Sequence, residues 1–156
     1  MQFTFSFPIS AEDIFSQITS PQFLVERCLE LGSLDAKCQS DNQHLPILTI
    51  VRKEKAELPA MMKKVLGDEQ IIKTQQEWSE TEESFDNVST STIDGAPIKI
   101  KATQSLYNLE EGSEISVELK VKANIPLVGK KVEAMVATKI RDELIREFDY
   151  LIEVNS

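Results

Sequence analysis

From Glu114 to Asn124 the chain alternates, with Ile115, Val117, Leu119, Val121 and Ala123 set against Ser116, Glu118, Lys120, Lys122 and Asn124. A period of two with one apolar face predicts a half-buried strand. Past the turn-forming stretch Ile125 to Gly129 the period changes. Val132, Met135, Val136, Ile140, Leu144, Phe148, Leu151 and Ile152 recur at helical spacing over a segment running from Lys130 to Glu153. A helix of that length needs a broad concave surface to cover its stripe, and the remaining segments supply one.

Phe3, Phe5 and Phe7 alternate with Gln2, Thr4 and Ser6 in a first strand that Pro8 ends. Ser10 is a natural cap for a helix from Ala11 to Ile18. Ser20-Pro21 opens a second helix, which carries Phe23, Leu24, Cys28 and Leu31 and stops at Gly32. Strands are expected over Leu34 to Ser40 and Leu45 to Lys55, joined through Asp41-Asn42-Gln43. Pro59 and Gly67 bracket a short helical insertion, Leu58 to Gly67. Four more strands follow, near Gln70 to Ser79, Ser84 to Ile93, Ile98 to Leu109 and Glu114 to Asn124. Their short, turn-rich connections favour antiparallel neighbours. The order is therefore β-α-α-β-β-short helix-β-β-β-β-α: an α+β fold whose curved antiparallel sheet wraps the long C-terminal helix.

Composition narrows the function. At 156 residues, residues 1–156 are expected to form a single domain that needs no metal or disulfide staple. The balance of 17 basic against 26 acidic residues gives a net charge of −9. Such a field disfavours general binding to nucleic acid and to anionic membranes. No stretch approaches the roughly 20 apolar residues of a membrane span, and the N-terminus lacks the features of a signal peptide. Stable membrane insertion is thus not expected, and the cytoplasm is the expected location. Cys28 and Cys38 are isolated and read as free thiols or small buried hydrophobes.

The order of elements resembles the START-like, or Bet v 1-like, helix-grip superfamily (SRPBCC). More narrowly, the chain is similar to a bacterial family of uncharacterised START-like domains. The resemblance is carried by Leu58-Pro59 with the segment to Leu66-Gly67, by Gln75-Gln76-Glu77-Trp78, by Gly95 to Thr103, and by Ile125 to Glu133 at the final strand-helix junction. It implies a cavity between the sheet and the last helix that accepts an apolar or amphipathic, lipid-like small molecule. It does not imply one chemistry, because superfamily members carry lipids, bind hormones and secondary metabolites, cyclise polyketides or assist chaperones.

Inner faces follow from parity. Val117, Leu119 and Val121 share one with Ile98, Ile100, Ala102, Gln104 and Leu106, while Ile72 and Trp78 bring Thr74 and Gln76 with them. Polar groups on a dry face require partners, water or a ligand, since an unpaired one costs about 1–3 kcal/mol. The strand from Ser84 to Ile93 is ambiguous: Phe85, Asn87, Ser89, Ser91 and Ile93 share one parity, Val88, Thr90 and Thr92 the other. Met61 and Met62 fall on the insertion, which the resemblance places near the cavity mouth. The candidate ligand-binding residues are accordingly Met61, Met62, Thr74, Gln76, Trp78, Ser89, Gln104, Leu119, Met135 and Ile140.

Catalytic chemistry finds little support. His44 is the single histidine and stands beside a turn. There is no metal-ligand spacing, no nucleophile elbow and no phosphate-cradling loop. Glu77 and Tyr107 are the nearest acid-base candidates, but their parities turn them away from the inner face. No catalytic residue, metal or cofactor is expected. A carrier or sensor is the leading expectation; a polyketide-cyclase-like enzyme and a chaperone-associated protein-binding module are the alternatives.

Overall fold

The structure, a computed structural model, describes residues 1–56, 60, 63–64 and 67–156. Among them, β1 (Gln2–Phe7), β2 (Asp35–Ser40), β3 (Ile47–Lys55), β4 (Glu69–Glu80), β5 (Ser84–Ile93), β6 (Ile98–Asn108) and β7 (Ser113–Ala123) form a seven-stranded antiparallel sheet in the order β1-β7-β6-β5-β4-β3-β2. Helices α1 (Ala11–Ile18) and α2 (Pro21–Glu30) separate β1 from β2, and α3 (Gly129–Val154) closes the chain. This is the α+β helix-grip arrangement expected from the sequence. The insertion expected at Leu58 to Gly67, with Met61 and Met62, falls largely outside the described residues.

Local chemistry sets the boundaries. Ser10 Oγ accepts from the Asp13 amide at 3.2 Å, and Ser20 Oγ from the Phe23 amide at 3.4 Å, so each short helix starts where its cap predicts. Gly32 ends α2 at φ +109°, a conformation that favours glycine. β3 starts at Ile47 rather than Leu45, because Pro46 brings no amide to the ladder and Asp41 Oδ1 instead takes the amides of Gln43 and Ile47 at 3.2 Å each. At the β6–β7 hairpin, Gly112 has φ +76°, and a Cβ there would lie 2.1 Å from the Phe7 carbonyl oxygen.

Register aligns the inner face into rows. One runs Leu48–Gln76–Ser89–Ala102–Leu119 and the next Ile50–Thr74–Ser91–Ile100–Val121. On β5, Asn87, Ser89 and Ile93 are buried while Val88, Thr90 and Thr92 are exposed, which settles the parity left open by that strand's polar sequence. The apolar core consequently forms two clusters. One gathers Phe7, Ile14, Phe15, Leu24, Trp78, Leu106, Ile115, Phe148 and Leu151. The other gathers Ile72, Ile93, Ile98, Ile100, Leu119, Val132 and Val136. α3 contributes its N-terminal half to the second cluster and its C-terminal half to the first.

Candidate functional site

Between the two clusters lies a cavity of about 90 Å³. Its sheet side consists of Ile50 and Arg52 on β3, Thr74 and Gln76 on β4, Ser89 and Ser91 on β5, and Ile100, Ala102 and Gln104 on β6. Its helix side is Leu24, Arg27 and Cys28 on α2 with Ile140, Glu143, Leu144 and Glu147 on α3. Five of the expected ligand-binding residues, Thr74, Gln76, Ser89, Gln104 and Ile140, thus meet at one place. Trp78, Leu119 and Met135 do not line it. Trp78 packs edge-on against Phe15 at 5.4 Å, Leu119 is buried in the second cluster, and Met135 packs against that cluster's edge. Met61 and Met62 lie outside the described residues.

The polar groups of the sheet are partly satisfied by one another. Thr74 Oγ1 and Ser91 Oγ are 2.8 Å apart, Gln76 Oε1 accepts from Trp78 Nε1 at 3.2 Å, and Gln104 Oε1 accepts from Asn87 Nδ2 at 3.4 Å. Asn87 Oδ1, in a residue only 1% exposed, has no partner among the described residues. Such pairing leaves hydroxyl and amide capacity facing the void, and a polar void of this size suits water: at about 30 Å³ per molecule it holds on the order of three.

On the helix side an ion-pair network closes the cavity. Arg27 meets Glu147 at 3.3 Å; Arg52 meets Glu54 at 3.2 Å and Glu143 at 3.5 Å; Lys139 reaches Glu143 from outside at 3.3 Å. Burial opposes the charge on Arg52, but Glu143, Glu147 and Glu54 more than offset it and hold the guanidinium above its ordinary pKa. Arg27 is buried, and its Nε has no acceptor among the described residues. Burial first, and then Glu147, push the Cys28 thiol up, so it stays protonated at neutral pH. Beyond the network, a void of about 30 Å³ lies against Cys28, Leu31, Ser33 and Arg146. The charged residues therefore form a wall between the inner cavity and the surface.

Arg27, Arg52, Glu143 and Glu147 were not among the residues expected at the site. The signal for them was positional: Arg27 follows Leu24 by three residues, Arg52 shares parity with Leu48 and Ile50, and Glu143 and Glu147 follow Ile140 by three and seven. Charged side chains are seldom buried unless paired, so spacing alone does not single them out.

The acid-base candidates stand elsewhere. Glu77 is exposed on the outer face, and the Tyr107 hydroxyl donates to Glu114, which raises the phenol's pKa. His44 is exposed beside Glu80 at 3.5 Å. Among the described residues there is no cluster of metal-ligating side chains, and no helix is long and apolar enough to cross a membrane. A larger void, about 480 Å³, is an open trough beside β1, β7 and β6, lined by hydroxyl-bearing residues such as Thr4, Thr103, Ser105 and Ser116. Phe3 and Val117 also line it, but it lacks the enclosure of the inner cavity.

A family model described as "Protein of unknown function (DUF2505)" matches residues 2–153. Among solved structures, a START superfamily protein from Mycobacterium smegmatis aligns with a TM-score of 0.66 at 14% identity, covering 100% of this chain and 98% of that one. A Rhodobacter sphaeroides protein aligns at 0.60 and 16% identity, over 98% and 89% of the two chains. A conserved protein from Geobacillus kaustophilus aligns at 0.59 and 9% identity, over 97% and 93%. At these identities the likeness is one of fold. No curated protein matches the chain.

Proposed function

The chain belongs to the DUF2505 family of proteins of unknown function, and we propose that it is a cytoplasmic carrier or sensor that binds a small amphipathic molecule in the inner cavity. The observation that carries this reading is the two-sided lining. Thr74, Gln76, Ser89, Ser91 and Gln104 offer hydrogen bonds, while Leu24, Ile50, Ile100, Ala102, Ile140 and Leu144 offer apolar contact. A few convergent polar groups among apolar ones is the usual make-up of a ligand site.

At about 90 Å³ the cavity is smaller than the roughly 300 Å³ of common ligand pockets. In this reading it receives a polar head or a short molecule, and a longer apolar part enters only as α3 moves off the sheet. Thr74, Gln76, Ser89, Gln104 and Ile140 are the contact residues.

The test is native mass spectrometry of the purified protein with organic extraction, followed by thermal-shift screening against fatty acids, sterols and short-chain amphiphiles. A bound species or a rise in Tm, lost in Ala102→Trp, is expected. Absence of both across the screen overturns the reading.

Glu143 and Glu147 face the cavity, as a cyclase-like enzyme's base would have to. Each is already engaged by a guanidinium group, which favours binding over proton transfer. The protein-binding alternative fares less well. The exposed apolar residues of the outer face are interrupted, Ile47 and Val88 by Glu77 in their shared row, and Val51 is paired with Lys73.

A further inference from the structure

The outer face of the sheet carries a block of lysines brought together by register: Lys99 stands opposite Lys122, and Lys101 opposite Lys120. All four are exposed. Like charges directly opposite one another weaken a strand pair, and a chain of net charge −9 has carboxylates in excess with which to separate them. Within this block Lys120 has a counter-charge in Glu118 at 3.3 Å. The other lysine ion pairs among the described residues belong to Lys53 and Lys139. Lys130 and Lys131 are exposed where α3 begins, beside the end of β7: a Cβ on Gly129 would sit 2.7 Å from the Ala123 carbonyl oxygen. Four of the chain's 17 basic residues therefore share the outer face of β6 and β7, and two more stand at the adjoining strand-helix junction, where Glu133 accepts from the Ala123 amide at 3.0 Å.

Leu127 stands at the same junction. The Val128 amide donates to the Pro126 carbonyl at 2.9 Å, and Leu127 between them has φ +71°. This is the rare and strained form of the γ-turn. The side chain is 106% exposed, fully in solvent. A leucine that makes no packing contact and does not suit its backbone adds nothing to the fold; glycine would serve the turn better.

We propose that this face and its junction dock on an anionic lipid bilayer, with the lysine block against lipid phosphates and Leu127 reaching into the interface. Basic residues combined with an apolar anchor are what peripheral attachment to such a surface requires. Nucleic acid would use the lysines but gives a solvent-exposed leucine no role. The chain's net negative charge opposes approach from a distance. At physiological salt, charges more than about 8 Å away are largely screened, so the local block governs contact. The docking is peripheral, and it does not depend on what the cavity holds.

Co-sedimentation of the full chain with phosphatidylcholine vesicles, with and without phosphatidylglycerol, tests it. Sedimentation is expected at physiological salt with the anionic vesicles alone and is expected to fall as salt is raised further. Replacing Lys99 and Lys122 by Gln should weaken binding about 30-fold. Leu127→Gly, which relieves the turn, should weaken it about tenfold without lowering Tm. No binding to anionic vesicles at physiological salt overturns the proposal, as do variants that sediment like the parent chain. Binding to a duplex oligonucleotide that needs the lysines but not Leu127 would assign the surface to nucleic acid instead.

Discussion

Arg27 of α2 and Glu147 of α3 meet at 3.3 Å across the helix side of the cavity, with side chains 9% and 20% exposed. An ion pair this far from water is sensitive to loss of one partner, because the other is left charged and uncompensated. Glu147→Leu should lower unfolding free energy by about 3 kcal/mol in urea titration. The double variant Arg27→Met, Glu147→Leu should recover most of that loss. Equal destabilisation by the single and double variants would show that packing, not charge, holds the two helices here.

Thr74 and Ser91 face each other in one inner row at 2.8 Å. Thr74→Val and Ser91→Ala should each cost about 1 kcal/mol, and the pair together less than the sum, with a coupling near 1 kcal/mol in a double-mutant cycle. Additive losses would mean that water in the cavity already satisfies each hydroxyl separately.

Gly112 and Gly95 separate strain from collision. Both have positive φ, but only at Gly112 would a Cβ strike backbone, 2.1 Å from Phe7 O, whereas nothing lies within 4 Å at Gly95. Gly95→Ala should lower stability by about 1 kcal/mol and Gly112→Ala by about 3 kcal/mol or more, read from thermal or urea unfolding. Comparable losses would indicate that β1 yields at Phe7.

The Cys28 thiol has its pKa raised by burial and by Glu147. Its folded value exceeds its unfolded one, so the unfolded chain ionises first as pH rises. The contribution is fully present below the ordinary thiol range, near 8.5, and is lost through the folded value. Unfolding free energy should thus decline above about pH 8.5, with a shallower decline in Cys28→Ala. Iodoacetamide should modify Cys28 more slowly than a free thiol, since the thiolate is the nucleophile. A pH slope unchanged by the substitution would remove Cys28 as its source.

The consecutive pairing of β2 to β7 was legible from the short, turn-rich connections, and most inner faces from the period-two alternation that survives in β1, β6 and β7; the pairing of β1 with β7 was not. On β5 the two faces are nearly equally polar, and only pairing with β4 and β6 decides that Asn87 and Ser89 point in and Val88 out. Parity placed Thr74, Gln76 and Gln104 on the inner face, yet it also placed Trp78 and Leu119 there. Whether an inner residue meets cavity or core depends on how closely a helix approaches it, a distance no alternation encodes. Arg27, Arg52, Glu143 and Glu147 escaped for the opposite reason: their spacing pointed inward while their charge pointed out, and mutual pairing resolved the conflict in favour of spacing.

The division of the core into two clusters changes the mechanics of α3. Val132 and Val136 rest in one cluster, Phe148 and Leu151 in the other, with Ile140 to Glu147 spanning the wet interval. The helix is a beam on two piers, and stiffness passes between the ends through that span. In the proposed reading, a molecule seated under the beam would add a third pier, and occupancy at the centre would stiffen the span towards both ends.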